Sequence, residues 1–431
     1  MVVAAAAGGL AAPSGDRAPV LIPIAIAMGL AVLAIAVTRF ELFVGSILLV
    51  RSSLDAVDLG SSTLDPAGAI SVLFVGASVV WLLAHRYDAP PSPTATLLPP
   101  VAALFLCALA SIAFSDHPLE SLFEVVRFGT LVVIVAVLGR LIRDGRSMRF
   151  VLMATLGSLI VPLAVASSQM LSGGSGLLTA SGLARIRGTF THSNPFAAYL
   201  FLMITLIVSL YPHLERRWKV VLVPLALACG GALIATYARG AWAATVLALV
   251  VIGFLQDRRI LWLLGGAMIA IAIAVPSVGV RLSDITETRK ESGAPGNSLI
   301  WRFEYWQEVL ALQDNPVLGI GFKEVELTQS VEKAPHNDPI RIFVETGILG
   351  FAAYVWVLVT LGLQARATLG RAPPGISRGL AVAFVASFAG LVLLSVAANV
   401  ITQLVILWYF VTIVVLAMAS SRFPDPETVR A

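Results

Sequence analysis

An all-α integral membrane protein with 12 or 13 transmembrane helices and one larger extracytoplasmic loop is predicted by three observations. Of the 431 residues, 58% are hydrophobic and only 13% charged, with a mean hydropathy of +0.91; a soluble domain is about half apolar and about a quarter charged. Runs of about 17 to 25 apolar residues, each long enough to cross a bilayer core, recur along the chain. Basic residues gather in alternate loops, the pattern that orients polytopic proteins. The same composition excludes a disordered chain, a disulfide-stapled secreted domain and a nucleic-acid reader. Lys+Arg number 29 against 25 Asp+Glu, a balance that marks loops rather than a basic face for nucleic acid.

Residues 1–17 are Ala-rich, carry Asp16 and Arg17 without a basic n-region or cleavage site, and read as an amino-terminal tail rather than a signal peptide. Transmembrane helices occupy 18–278 and 340–420, the larger loop 279–339, and a cytoplasmic tail 421–431. The spans fall near 18–38, 67–84, 97–114, 122–142, 149–170, 195–211, 218–236, 240–256, 258–278, 340–364, 378–398 and 400–420. They lack the alternation of a barrel strand, and a backbone in hydrocarbon must satisfy itself internally, so they are helices. At the amino end, 18–50 reads as one long helix with a cytoplasmic start, or as a helix, a tight turn at Thr38-Arg39-Phe40-Glu41 and a second short span. Cys107 and Cys229 lie inside apolar runs and read as small buried hydrophobes.

Orientation follows from the loops. Arg140, Arg143, Arg146 and Arg149, then Arg216, Arg217 and Lys219, then Arg258 and Arg259, then Arg366, Arg371 and Arg378 mark the cytoplasmic side. Asp55, Asp58 and Asp65, then Asp116 and Glu120, then 279–339 fall opposite. That long segment holds six basic residues (Arg281, Arg289, Lys290, Arg302, Lys323, Lys333) and ten acidic ones, as an outside placement requires. Within it, Asn297 to Leu312 reads as an amphipathic helix at the bundle mouth or in the headgroup layer. Its apolar side is expected to carry Ile300, Phe303, Val309 and Leu310 with Trp301 and Trp306, and Asn315-Pro316 ends it.

Ionisable groups near membrane depth usually face a cavity or a partner. Arg239 stands in Thr236-Tyr237-Ala238-Arg239-Gly240-Ala241-Trp242, a short junction between two apolar runs, with a snorkelling interfacial arginine as the plain alternative. Arg185-Ile186-Arg187-Gly188-Thr189-Phe190-Thr191-His192-Ser193-Asn194-Pro195 puts two arginines, with no acidic neighbour, on the side whose loops are otherwise acidic. Guanidinium forks suit phosphate oxygens, and Gly188 lets backbone approach as well. Pro335-His336-Asn337-Asp338-Pro339-Ile340-Arg341 closes the long loop. His336 is a general base, a proton donor or a capped surface histidine; Arg341 with Glu345, and Glu124 with Arg127, have the spacing of ordinary helical ion pairs. All three segments fall on one predicted face. Several arginines, one histidine and no carboxylate cluster describe a site for a phosphorylated lipid. No metal-ligand spacing, phosphate loop or nucleophile elbow appears, so no metal and no cofactor is expected.

These residues resemble the O-antigen ligase and O-antigen polymerase superfamily, bacterial polytopic transferases acting on undecaprenyl-diphosphate-linked glycans. Arg185-x-x-Gly188-Thr189-Phe190 followed by Asn194 is similar to one family block, and Thr236-x-x-Arg239-Gly240 to a second. The third comprises Arg302-x-x-x-Trp306, Asn315-Pro316-Val317-Leu318-Gly319-Ile320-Gly321, His336-Asn337 and Glu345-Thr346-Gly347-Ile348-Leu349-Gly350. The similarity spans about residues 100 to 420. Ala238 stands where the family has serine, and His192-Ser193 where it has Asn-Pro.

The resemblance implies a GT-C-like fold and metal-independent, inverting transfer of a glycan from an undecaprenyl-diphosphate-linked donor to a lipid or glycan acceptor, at the extracytoplasmic side of the bacterial inner membrane. It implies His336, Arg239 and Arg185 as catalytic residues. Arg187, Asn194, Asn337, Arg341, Tyr237 and Arg302 are then substrate-binding. Ligase and polymerase differ only in acceptor. A bicarbonate-carrier-like transporter is the alternative from another class, but the unusual charges gather at one face and no internal repeat is present, whereas carriers place their site near the midplane between repeats. A shape-and-division peptidoglycan polymerase fits the His336-Asn337 block and the arginine pattern less well.

Overall fold

The computed structural model describes residues 32, 34–55, 66–87, 92–178, 182–283, 298–328 and 335–422. The expected tail at 1–17, most of the first span, residues 423–431 and the charges Asp58, Asp65, Arg289, Lys290 and Lys333 lie outside these residues. After a helical segment at 34–38, interrupted at Arg39, the described helices are α1 Phe40–Val50, α2 Pro66–Ala84, α3 Leu98–Ser111, α4 Pro118–Leu141, α5 Gly145–Gly157 and α6 Ile160–Leu171. A two-stranded antiparallel ribbon follows, β1 Leu177–Leu178 against β2 Ala184–Arg185. Then come α7 Ser193–Leu210, α8 Arg216–Ala235, α9 Arg239–Leu255, α10 Arg259–Ala274, α11 Pro276–Ser283, α12 Ser298–Ala311 and α13 Glu324–Thr328. The last three are α14 Asp338–Arg371, α15 Ile376–Ser395 and α16 Leu404–Ser420.

Among the described residues, six helical segments are long and apolar enough to cross a membrane: Pro118–Leu141, Gly145–Leu171, Ser193–His213, Arg216–Ala235, Asp338–Arg371 and Ile376–Ser395. Five shorter apolar helices accompany them. The expected span at 149–170 is broken at Ser158 and Leu159, where Ser158 Oγ turns to the Tyr199 hydroxyl at 2.7 Å. The expected span at 340–364 is longer, running from Asp338 to Arg371 with a break at Gly347.

The core is α7, α15 and α16. Nearly every residue of α7 and α16 is buried, and Tyr199 and Tyr409 meet edge-to-face with centroids 5.0 Å apart. Around this trio pack α4, α5, α8, α9 and α14, with α3 packed on α4 and α14, while α10 buries no residue and keeps an apolar surface. A helix apolar all round and unburied by protein is a helix for lipid. Polarity alternates between the two ends. Arg143, Arg216, Arg258, Arg371 and Arg378 lie at helix termini at one end, joined there by Arg378 Nη1 donating to Leu369 O and Ser377 Oγ to Ser420 O. The starts of α7, α9, α14 and α16 and the end of α15 gather at the other.

The amphipathic helix expected at 297–312 is α12, and Val309 with the half-buried Trp306 lie on its inner side as expected, but Phe303 and Leu310 do not and Tyr305 does. Tyr305 and Val309 are buried against Val325 and Val344, whereas Phe303 and Leu310 are 60% and 42% exposed. Packing on α13 and α14 selects the inner stripe at 302, 305, 306 and 309. The side chains of Ile300 and Trp301 lie outside the described residues.

Candidate functional site

The segment 185–194 is fixed from below. Ile186 and Phe190 are buried, the latter against Phe196 and Tyr199 at 5.5 and 5.4 Å between centroids. From α6, Gln169 Oε1 accepts from the N–H groups of Arg187 and Gly188, and Nε2 donates to Gly188 O, all at 2.9 Å. This turn needs φ +56° at Gly188, where a Cβ would meet the Phe196 ring at 2.9 Å, so glycine is required sterically. Thr189 Oγ1 donates to Ser52 O at 2.6 Å, and Thr191 donates to Asp55. Arg185 is thereby aimed along the junction of two helices. Its Nε donates to Thr236 O at 2.7 Å and its Nη2 to Asn194 Oδ1 at 2.8 Å. Arg187 instead donates to its own turn, Nη1 to Thr191 O at 2.9 Å.

At the second junction, α8 ends at Ala235 and α9 begins at Arg239. Tyr237 between them has a left-handed backbone, φ +51°, a conformation that non-glycine residues hold only where surroundings impose it. Its hydroxyl donates to Ser277 Oγ at 2.9 Å, tying the junction to α11. Gly240 lies where a Cβ would touch Leu394 and Ala397, so Arg239 is brought up to the end of α15.

The helix α12 joins this junction to the third segment. Arg302 and Trp306 stand one turn apart on its buried stripe. Trp306 Nε1 donates to Pro335 O at 2.7 Å, next to His336. Burial and the neighbouring charge of Arg239 together push the Arg302 guanidinium below its ordinary pKa, and its Nε is buried without a hydrogen-bond partner. Two guanidiniums within electrostatic reach, one with a buried unmet donor, are an arrangement that an anion would satisfy in both charge and hydrogen bonding.

His336 also has a left-handed backbone, φ +52°. Asn337 caps α14, its Oδ1 accepting from Ile340 N at 3.0 Å, with Pro339 in the first turn. Residues 396–403, between α15 and α16, clasp this start. Asn337 Nδ2 donates to Val396 O at 3.3 Å, Ile401 N donates to the Asp338 carboxylate at 3.1–3.2 Å, and Asn399 Nδ2 lies 3.4 Å from His336 Nδ1. Asn399 was not legible as a site residue; the signal is an Asn inside an apolar stretch, a polar group at membrane depth that lacks a helix-surface explanation.

Hydrogen bonds, charge proximity and chain adjacency thus connect Arg185, Asn194, Thr236, Tyr237, Arg239, Arg302, His336 and Asn337 around one end of the bundle. Arg341 is not brought to them. It is 0% exposed, with Nε 3.1 Å from Glu345 and Nη1 2.6 Å from Glu326, so the ion-pair reading of Arg341 with Glu345 describes its surroundings. Glu124 pairs with Arg127 at 3.5 Å in the same way. The Asn315–Gly321 block also turns out to be scaffolding. It enters the break in α14: Ile320 N and Gly321 N donate to Val344 O and Glu345 O, and Ile348 N donates to Pro316 O, at 2.9–3.1 Å. Both Gly319 and Gly347 have positive φ and each faces the other strand's backbone so closely that a Cβ would collide with it. Among the described residues, no group of three or more His, Cys, Asp or Glu is arranged to hold a metal ion.

No curated protein matches the chain. The family model described as O-antigen ligase matches residues 224–355, the stretch that holds Arg239, Arg302, His336 and the α14 break, and in that stretch the chain is similar to the O-antigen ligase family.

Proposed function

We propose that the protein transfers a glycan from an undecaprenyl-diphosphate-linked donor to an acceptor hydroxyl at the extracytoplasmic face of the bacterial inner membrane, in the manner of an O-antigen ligase. The acceptor is a lipid or glycan; a polymerase would run the same chemistry with a second lipid-linked repeat as acceptor. The reading is carried by one observation, the Arg239–Arg302 pair with the buried unmet Nε of Arg302, on a helix whose next turn is bonded to the residue preceding His336. A diphosphate neutralises such a pair. Arg185, already oriented by Asn194 and Thr236, supplies a further guanidinium.

In this reading the acceptor oxygen attacks the anomeric carbon while the bond from that carbon to the diphosphate oxygen breaks, with inversion. Negative charge develops on the departing diphosphate. Fixed guanidiniums in a partly dehydrated site stabilise it at little reorganisation cost, worth several kcal/mol in comparable sites, about 2.7–4 for one donor. The hydroxyl proton passes to His336. Arg239→Ala and Arg302→Ala should insert and fold normally yet lose transfer by about 100-fold or more. Either variant retaining full glycan transfer in a deletion strain would remove that residue from the site.

A further inference from the structure

At the end of the bundle that holds His336, a cleft of about 600 Å³ lies between the α3–α4 corner, the turn that follows α12, and α13. Its floor is fixed by Glu324. That carboxylate is buried, accepts from Ser115 Oγ at 2.6 Å and Thr328 Oγ1 at 2.9 Å, and lies 2.7 Å from His117 Nδ1, so it is engaged in joining the corner to α13. Gly321 tightens the same joint, since a Cβ there would meet Ser115. The walls are mixed. Phe114, 48% exposed, supplies an apolar face with Pro316 and Ile320, while Asp116, Asp314 and Asn315 supply polar groups. Asn315 Oδ1 accepts from Val317 N and Leu318 N, which leaves its amide nitrogen as a donor beside two carboxylates that only accept. Among the described residues, no Lys or Arg lines the cleft.

The cleft also stands at a set distance from the arginine pair. Ala311, on its rim, follows Arg302 along α12, and at about 1.5 Å of rise per residue it lies about 14 Å further along the helix axis. Trp306, between them, is bonded to Pro335 O beside His336. A glycan whose diphosphate rests on Arg239 and Arg302 therefore reaches the cleft with a later sugar, not with the one whose anomeric carbon reacts. Sugars carry hydroxyl donors at their edges and C–H groups on their faces, the complement of acceptors set among apolar walls. Carboxylates without a neighbouring cation repel phosphorylated or acidic sugars. We propose that this cleft binds an uncharged sugar of the donor glycan, beyond the first, and so selects an extended donor over a single-sugar one. The inference rests on the reading of Arg239 and Arg302 as the diphosphate site. Binding a remote sugar strengthens the hold on the donor without touching the bond that breaks.

The test uses purified full-length protein in liposomes and compares undecaprenyl diphosphate carrying one sugar with undecaprenyl diphosphate carrying the host cell's complete glycan. In the wild type the complete donor is expected to have a KM about tenfold lower, the effect of one or two hydrogen bonds. Asp314→Ala and Phe114→Ala, both at exposed positions, are each expected to shrink that ratio to about twofold. A measurement on the wild type alone is carbodiimide labelling of Asp314, read by mass spectrometry: the complete donor is expected to protect this carboxylate, and undecaprenyl diphosphate without a glycan is not. The inference is overturned if the wild type does not distinguish the donors, if both variants keep its ratio, or if Asp314 is labelled equally with and without the complete donor. Protection by the acceptor alone, or by calcium ions alone, also overturns it, since the cleft then belongs to the acceptor or to a cation. If the wild type transfers from neither donor, the ligase reading fails and the inference with it; transfer that is indifferent to both variants removes the subsite and leaves that reading standing.

Discussion

Arg341 provides the sharpest test of which arginines hold substrate and which hold the fold. Arg341→Met removes the cation between Glu345, itself 0% exposed, and Glu326, whose side chain is 31% exposed. Glu326 can turn to water. Glu345 cannot, and stranding a buried charge costs about 3–5 kcal/mol. In Arg341→Met/Glu345→Gln both charges go, and replacing a buried pair by uncharged residues of similar size is close to neutral. At about 2–4 °C per kcal/mol for a large domain, the single variant should melt about 10 °C lower and the double variant should recover most of that loss. Intrinsic tryptophan fluorescence of detergent-solubilised protein, which has 8 Trp, follows the melting directly. The double variant should transfer glycan within several-fold of wild type at temperatures well below melting. Two results refute the reasoning: a single variant as stable as wild type, or a stable double variant as inactive as Arg239→Ala, which would mean that Arg341 contacts the substrate.

Two further predictions concern the scaffold. Gly347→Ala puts a Cβ at φ +66° and into the backbone of Val317, so it should destabilise by about 2 kcal/mol or more, read as lower folded yield and melting temperature, whereas the same change at exposed Gly370, which has open space, should be nearly silent. At the α3–α4 corner, His117 Nδ1 and Glu324 Oε1 are 2.7 Å apart. The hydrogen bond to Glu324 raises the His117 pKa. Burial pushes Glu324 up, but bonds from Ser115, His117 and Thr328 outweigh it and hold the carboxyl below its ordinary value. The histidine's contribution is complete below its ordinary 6.5 and is lost as pH rises through its raised value; the glutamate's is complete above its ordinary 4.5 and is lost as pH falls through its lowered value. The contact is therefore strongest between those two values. Melting temperature should fall as pH rises above that window, and His117→Asn should flatten this dependence; an unchanged slope would show that the contact contributes nothing.

Much of the architecture was legible because hydrocarbon leaves few options: an apolar run of about 20 residues has to be a helix, and the basic loops fall at one end of the bundle. What composition does not encode is where helices break. The interruptions at Ser158–Leu159 and Gly347 depend on long-range partners, Tyr199 in one case and the 315–321 segment in the other. The apolar stripe of α12 is legible only in part for the same reason: Val309 faces inward as its pattern suggests, but Phe303 and Leu310, with the right chemistry, are exposed while Tyr305 meets the neighbours that exist. The candidate site divides likewise. Arg185, Arg187 and Arg239, together with His336, stand out against the charge-sorting rule, whereas Arg302 lies in a net-acidic outer loop and is singled out only by the resemblance. Gln169, which holds the loop, and Asn399, which lies beside the His336 ring, are uncharged and escape a reading based on charge. Arg341 carries the same charge as its neighbours, and only the two carboxylates around it separate it from them.

The proposed transfer requires that arginines, rather than a metal ion, hold the diphosphate while the glycan moves. The most direct measurement is transfer of a radiolabelled glycan from undecaprenyl diphosphate by the purified protein in liposomes that also contain the acceptor lipid, with and without EDTA. Undiminished transfer in EDTA, abolished by Arg239→Ala, is the predicted result. Complete loss of wild-type transfer in EDTA, or full transfer by Arg239→Ala, would contradict it.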